Sequence, residues 1–132
     1  MSGPSLFILL CSGEHEKIQM AAMMASVAAV SDRPVQVFVS MNAMFTFERG
    51  ADPVGRYQGG RMSKVLLERK APDAVDLFGQ GKMLGEMQVF ACSMALDVLG
   101  WTLDNLTEDL FDEPMGLTKF LSDAEEGQLI TL

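Results

Sequence analysis

Two thiols and one imidazole are the strongest candidate nucleophiles and bases in this sequence. Cys92 lies in Glu-Met-Gln-Val-Phe-Ala-Cys-Ser-Met-Ala-Leu-Asp-Val-Leu-Gly-Trp, residues 86–101. Val89-Phe90-Ala91 reads as the end of a short buried strand, Ser93 to Leu99 as a helix, and Gly100 as its stop. Cys92 falls on the junction, where free N–H groups and the positive end of a helix dipole favour thiolate over thiol. It is therefore a candidate nucleophile. A buried packing cysteine is the alternative, and position alone weighs the two evenly.

Cys11 closes an apolar run that begins at Ser5 and reads as the first strand. Ligands of open parallel sheets gather at the carboxyl ends of the strands, and both cysteines belong to that edge. A flavodoxin-like strand order would set them side by side. A second strand between them would hold them roughly 10 Å apart. The sequence leaves both orders open. Ser12-Gly13, ahead of a helix, can offer N–H groups to an anion. Neither the Gly-x-x-x-x-Gly-Lys loop nor the Gly-x-Gly-x-x-Gly fingerprint is present there. His15, in the first helical turn, can assist a thiol, although a surface histidine is the commoner case. With one histidine and no Cys-x-x-Cys, a metal site is not expected. No Gly-x-Ser-x-Gly marks a serine nucleophile.

The elements that must position these groups are legible as a pattern. Glu14 to Ser31 reads as a long helix, nearly apolar all round and so buried on more than one side. Val35 to Ser40 is a second buried strand, and strand–helix–strand implies a parallel sheet. Met41 to Glu48 is a short helical segment. Residues 50–60 are a glycine-rich loop carrying Arg56, read as a solvated connection or as a partner contact together with Arg61. Helices are expected over Arg61 to Lys70 and Asp73 to Leu84. A helical turn is expected within Leu103 to Leu110, and Phe111 is expected in a short fourth strand. Pro114 opens a helix striped by Leu117, Phe120, Leu121 and Ala124, and Gln128 to Leu132 is the last strand. The expectation is one domain over 1–132: a three-layer α/β/α sandwich with a mostly parallel sheet of about five strands.

Composition narrows the function classes. The chain has 132 residues, 48% of them hydrophobic, and a formal net charge of −8, which disfavours nucleic acid as a partner. Six of the ten basic residues fall between Arg49 and Lys70, whereas Lys119 alone follows Cys92, against nine acids. The apolar excess hints at a subunit interface. The first apolar run has no basic segment before it, and no stretch is long enough to span a bilayer, so the cytoplasm is the default compartment.

Phe-Ala-Cys-Ser-Met-Ala-Leu-Asp-Val-Leu-Gly, residues 90–100, resembles the DsrE/DsrF-like family, nearest its peroxiredoxin-like branch. Phe7 to Glu14, Ala21 to Ala29, Val35 to Val39, and Met115-Gly116-Leu117 with Phe120-Leu121 resemble other parts of that family. The resemblance implies small cytoplasmic homo-oligomers, trimers before hexamers. It implies sulfane sulfur carried as a persulfide on Cys92, exchanged with rhodanese-type or TusA-like partners, without a cofactor. It also implies a sheet order that separates the first and third strands. Cys11 is left as a second thiol of open role. Ser12, Gly13, His15, Ser93, Arg56 and Arg61 are the candidate anion- or partner-binding positions. Peroxidase chemistry is not expected, because no thioredoxin-type active site is found. Two other readings stand beside the sulfur relay: an oligomeric module binding a small anion or nucleotide, and a redox-sensing thiol pair.

Overall fold

The structure is a computed structural model that describes residues 3–132. Five strands form one sheet in the order β4-β3-β2-β1-β5, every neighbouring pair parallel. β1 is Leu6–Leu10, β2 Val35–Val39, β3 Met87–Cys92, β4 Glu113–Met115 and β5 Gln128–Thr131. The central strands are apolar with little alternation, as strands covered on both faces must be.

The register gives the sheet two different faces. Leu6, Ile8 and Leu10 align with Val35, Val37 and Val39, and these with Met87, Val89 and Ala91. On this smaller-residue face lies α1 (His15–Val30), which buries Ile18, Ala21, Ala22, Ala25, Ala28 and Ala29. Beside α1 packs α4 (Ala74–Leu84). The opposite face carries Phe7, Phe38 and Phe90. There α6 (Leu117–Ala124) inserts Phe120, fully buried, whose ring centroid lies 5.0 Å from that of Phe38 and 5.8 Å from that of Phe7. Chain direction explains the layers. The steps β1→β2→β3 run one way across the sheet, and right-handed crossovers place α1 and α4 on one face. The return from β4 to β5 runs the other way, so α6 covers the other face. The α/β/α sandwich follows.

Small residues set the distance between α1 and α4. A Cβ on Gly81 would stand 3.2 Å from Ser26 Cα and 2.5 Å from the end of Met87. α1 is buried against the sheet and α4, yet Met20, Met23, Val27 and Val30 remain exposed on its outer face.

Three connections complete the path: α2 (Ala43–Thr46), α3 (Arg61–Glu68) and α5 (Ser93–Leu99). A single 3-10 turn, Leu103–Asn105, falls within the expected segment. Two assignments need correction. Phe111 is not in a strand; its ring packs edge-on against Phe47, 5.6 Å away. Pro114 does not open a helix but sits inside β4, opposite Ala91. An edge strand tolerates a residue that cannot donate to the ladder. The helix begins instead at Leu117, after Gly116.

The two glycines of α4 should respond oppositely to alanine. Nothing lies within 4 Å of a Cβ on Gly79, so Gly79→Ala should stabilise the protein by about 0.5–1 kcal/mol. Gly81→Ala should destabilise it, because the crowding against Ser26 and Met87 outweighs the same propensity gain. Urea unfolding of both variants checks the pair, and equal shifts would contradict the packing described.

Candidate functional site

The site is built by the ends of three adjacent strands. Leu10 pairs with Val39, and Val39 with Ala91. One residue further on, Cys11, Ser40 and Cys92 stand in a row across β1, β2 and β3. Cys92 in turn pairs with Met115 of β4. The Ser40 N–H donates to the Leu10 carbonyl at 3.0 Å, holding the β1–β2 ladder to its end. Two strand spacings put the Cys11 and Cys92 Cα atoms about 10 Å apart. A disulfide requires Cα atoms within roughly 7 Å, so this backbone does not accommodate one.

Cys92 is 6% exposed and is both the last residue of β3 and the N-cap of α5, with φ −58° and ψ 118°. Gly100 ends α5 in the left-handed region, φ 69°, as the sequence suggested. Cys11 is half-buried. Its N–H donates to the Leu132 carbonyl at 2.8 Å and its own carbonyl accepts from Ala43 N–H at 3.2 Å. Burial pushes the Cys11 thiol pKa up, and a negative charge on Cys92 pushes it further the same way. Beside the row, Met41, Phe45, Met94 and Val98 rim an apolar cavity of about 210 Å³.

Ser12 and Gly13 line a separate, more polar cavity of about 600 Å³ with Asn42, Thr46, Arg56 and Gln58. Four of the N–H groups around it are engaged within the chain, that of Gly13 not among them. Ser12 N–H donates to Leu132, Glu14 N–H to the Ser12 hydroxyl, His15 N–H to Gln58, and Lys17 N–H to Glu14. Ser93 begins α5 and lines a third cavity, of about 430 Å³, with Asp97 and Trp101. Among the described residues, no three His, Cys, Asp or Glu side chains gather as a metal site would require.

His15 is a correction to the expected surface histidine. It is 3% exposed, with Nδ1 2.7 Å from Ser63 Oγ and its ring stacked on Tyr57 at 4.1 Å. The Tyr57 hydroxyl donates to Asp73 at 2.6 Å and accepts from Val75 N–H; burial first, then Asp73, pushes its pKa up to about 12. Arg56 is corrected too. Its guanidinium pairs with Asp73 at 3.0 Å and lies over the Tyr57 ring, with only 13% of the side chain exposed. It holds the loop to α4 and is not a free cation, whereas Arg61 is exposed at the start of α3. Glu16 accepts from Gly60 and Ser63 N–H groups, at 2.9 and 3.1 Å, and so caps α3 from a different helix. The interior histidine could not be read from sequence, since Ser63 and Tyr57 lie more than forty residues away along the chain. Asp73 was accessible as a cap signal after Pro72, and its side chain does accept from Asp76 N–H.

No family model matches the chain. The uncharacterized protein YrkE of Bacillus subtilis (strain 168) is 27% identical over 150 aligned positions, covering 92% of each chain. The solved structure of MTH1491, a protein of unknown function from Methanobacterium thermoautotrophicum, superimposes with a TM-score of 0.66 at 14% identity. That match covers 98% of this chain and all of the other. At that identity the likeness establishes a shared fold, here along the whole chain.

Burial lowers the His15 pKa from 6.5, against the opposing influence of Gln19, Glu16 and Asp73. As pH falls below 6.5, the unfolded chain takes up a proton that the folded chain resists. Stability should therefore decline until the folded pKa is reached, then level. Glu16 is held below its ordinary 4.5 by backbone N–H groups and contributes only in more acidic solution. Urea unfolding at about pH 7.5 and about pH 5.5 should show the loss in the wild type and a smaller one in His15→Gln. Equal pH dependence in both proteins would refute the assignment.

Proposed function

We propose that the protein carries sulfane sulfur as a persulfide on Cys92, acting as a sulfur carrier or sulfurtransferase. The observation that carries this reading is the placement of Cys92 at the carboxyl end of central strand β3, in one row with a second thiol. The motif around Cys92 and its resemblance to the DsrE/DsrF-like family point the same way. In the reaction, Cys92 thiolate attacks the outer sulfur of a donor persulfide, and the S–S bond breaks with its electron pair leaving on the donor thiolate. An acceptor thiolate removes the sulfur by the same step. Electrons balance within each exchange, so neither cofactor nor oxidant is needed.

The expected partners are rhodanese-type or TusA-like proteins in the cytoplasm. Among the described residues, no helix is long and apolar enough to cross a membrane. A homo-oligomer, trimer or hexamer, accords with the apolar surface that α1 and α5 expose at Met20, Met23, Val27, Met94 and Val98. Arg61 is the loop-end cation available to an acidic partner. The anion-module reading has the polar cavity at Ser12 in its favour, but the engagement of the Ser12, Glu14, His15 and Lys17 N–H groups within the chain weakens it. The disulfide-switch reading meets the strand that separates the two thiols.

Incubation with inorganic polysulfide, followed by intact mass and by alkylation and peptide mapping of each cysteine, tests the proposal. The wild type should gain one sulfur atom on Cys92 at end point, Cys11→Ser should still gain it, and Cys92→Ser should not hold it on residue 92. A wild type that gains nothing, with Cys92 also inert to alkylation, would overturn the reading and make Cys92 a packing residue.

A further inference from the structure

The row at the sheet edge contains more than one thiol needs. Cys11 is half-buried and Cys92 is 6% exposed, so the two thiols meet solvent unequally. Between them stands Ser40, polar yet 3% exposed. Strand alternation places all three on the Phe7–Phe38–Phe90 face, each one step beyond an aligned position in the register. The gap is too wide for a disulfide, but a persulfide carries its outer sulfur about 2 Å beyond Sγ. That shortens the separation only when sulfur is loaded.

Resting on the carrier reading above, we propose that Cys11 and Cys92 pass one sulfane sulfur between them across Ser40, Cys11 being the outer thiol that meets donors and acceptors. In the inward step, Cys92 thiolate attacks the outer sulfur of the Cys11 persulfide. A new bond forms between Cys92 Sγ and that sulfur, the Cys11 S–S bond breaks, and its electron pair returns to Cys11 as thiolate. The outward step is the reverse, and neither consumes an oxidant or a reductant. Ser40 is a positioning residue: its hydroxyl can donate to the anionic sulfur as it crosses. Burial first, and then negative charge on Cys92, pushes the Cys11 thiol pKa up. A pair that disfavours two negative charges suits a transfer in which one thiolate is consumed as the other is released.

The test is rapid-quench loading with inorganic polysulfide, then alkylation and peptide mapping of sulfur at each cysteine. In the wild type, sulfur should appear on the Cys11 peptide first and on the Cys92 peptide later. Cys11→Ala should load Cys92 about tenfold more slowly to the same end point. Ser40→Val should leave loading of Cys11 unchanged and slow its passage to Cys92. Cys92→Ser should retain the sulfur on Cys11. Cys92 loading at the wild-type rate in Cys11→Ala would overturn the relay while leaving the carrier intact. Absence of sulfur from Cys92 in every protein would overturn the carrier reading itself.

Discussion

The register of β1, β2 and β3 is the constraint on which the site depends. Successive side chains of a strand face opposite ways, so a slip of one residue in β3 would send Cys92 to the α1 face and Ala91 to the other. Packing forbids the slip. The α1 face accepts alanines against Val37, Val89 and Ala91, while the α6 face must hold Phe7, Phe38 and Phe90 around Phe120. Exchanging the two sets would put phenylalanine where small residues fix the helix distance. The aromatic layer thus determines which residues stand at the carboxyl edge, although it lies well below them.

A second polar layer holds the connections that leave this edge. The first turn of α1 supplies both His15 and Glu16, and these reach Ser63 and Gly60 at the start of α3. Tyr57 and Arg56 reach Asp73 at the start of α4. Loop 50–60, read from sequence as a solvated connection or a partner contact, is tied at two helix starts. Its apparent chemistry, an arginine and a tyrosine near a lone histidine, is occupied in holding backbone. Among the described residues the thiol row carries no comparable side-chain network, which separates the chemically available groups from the structural ones.

Much of this was legible in the sequence where local pattern decides. Unbroken apolar runs marked β1 and β2, alanine-rich periodicity marked α1, and the strand-to-helix change with Gly100 marked the setting of Cys92. What escaped depends on contacts distant in the chain. Strand order, and with it the spacing of the thiols, is a property of crossovers. His15 looked like a surface residue because its stacking partner and its hydroxyl partner arrive from later segments. Pro114 pointed to a helix because its tolerance at a sheet edge appears only once β4 is known to be outermost. Ser40 reads as the end of the second strand; continuing the two-residue period from Phe38 places it on the face of the thiols.

The Leu132 carbonyl accepts from both Cys11 and Ser12 N–H groups, at 2.8 and 3.3 Å. The eleventh residue is thus clasped by the one hundred and thirty-second. During synthesis, the helix–strand unit around β1 can collapse early, but the thiol end of β1 is not clasped until Leu132 has cleared the ribosome and docked. The Cys11 carbonyl can accept from Ala43 N–H as soon as α2 forms, whereas the Cys11 N–H waits for a partner that follows 121 residues later in the chain.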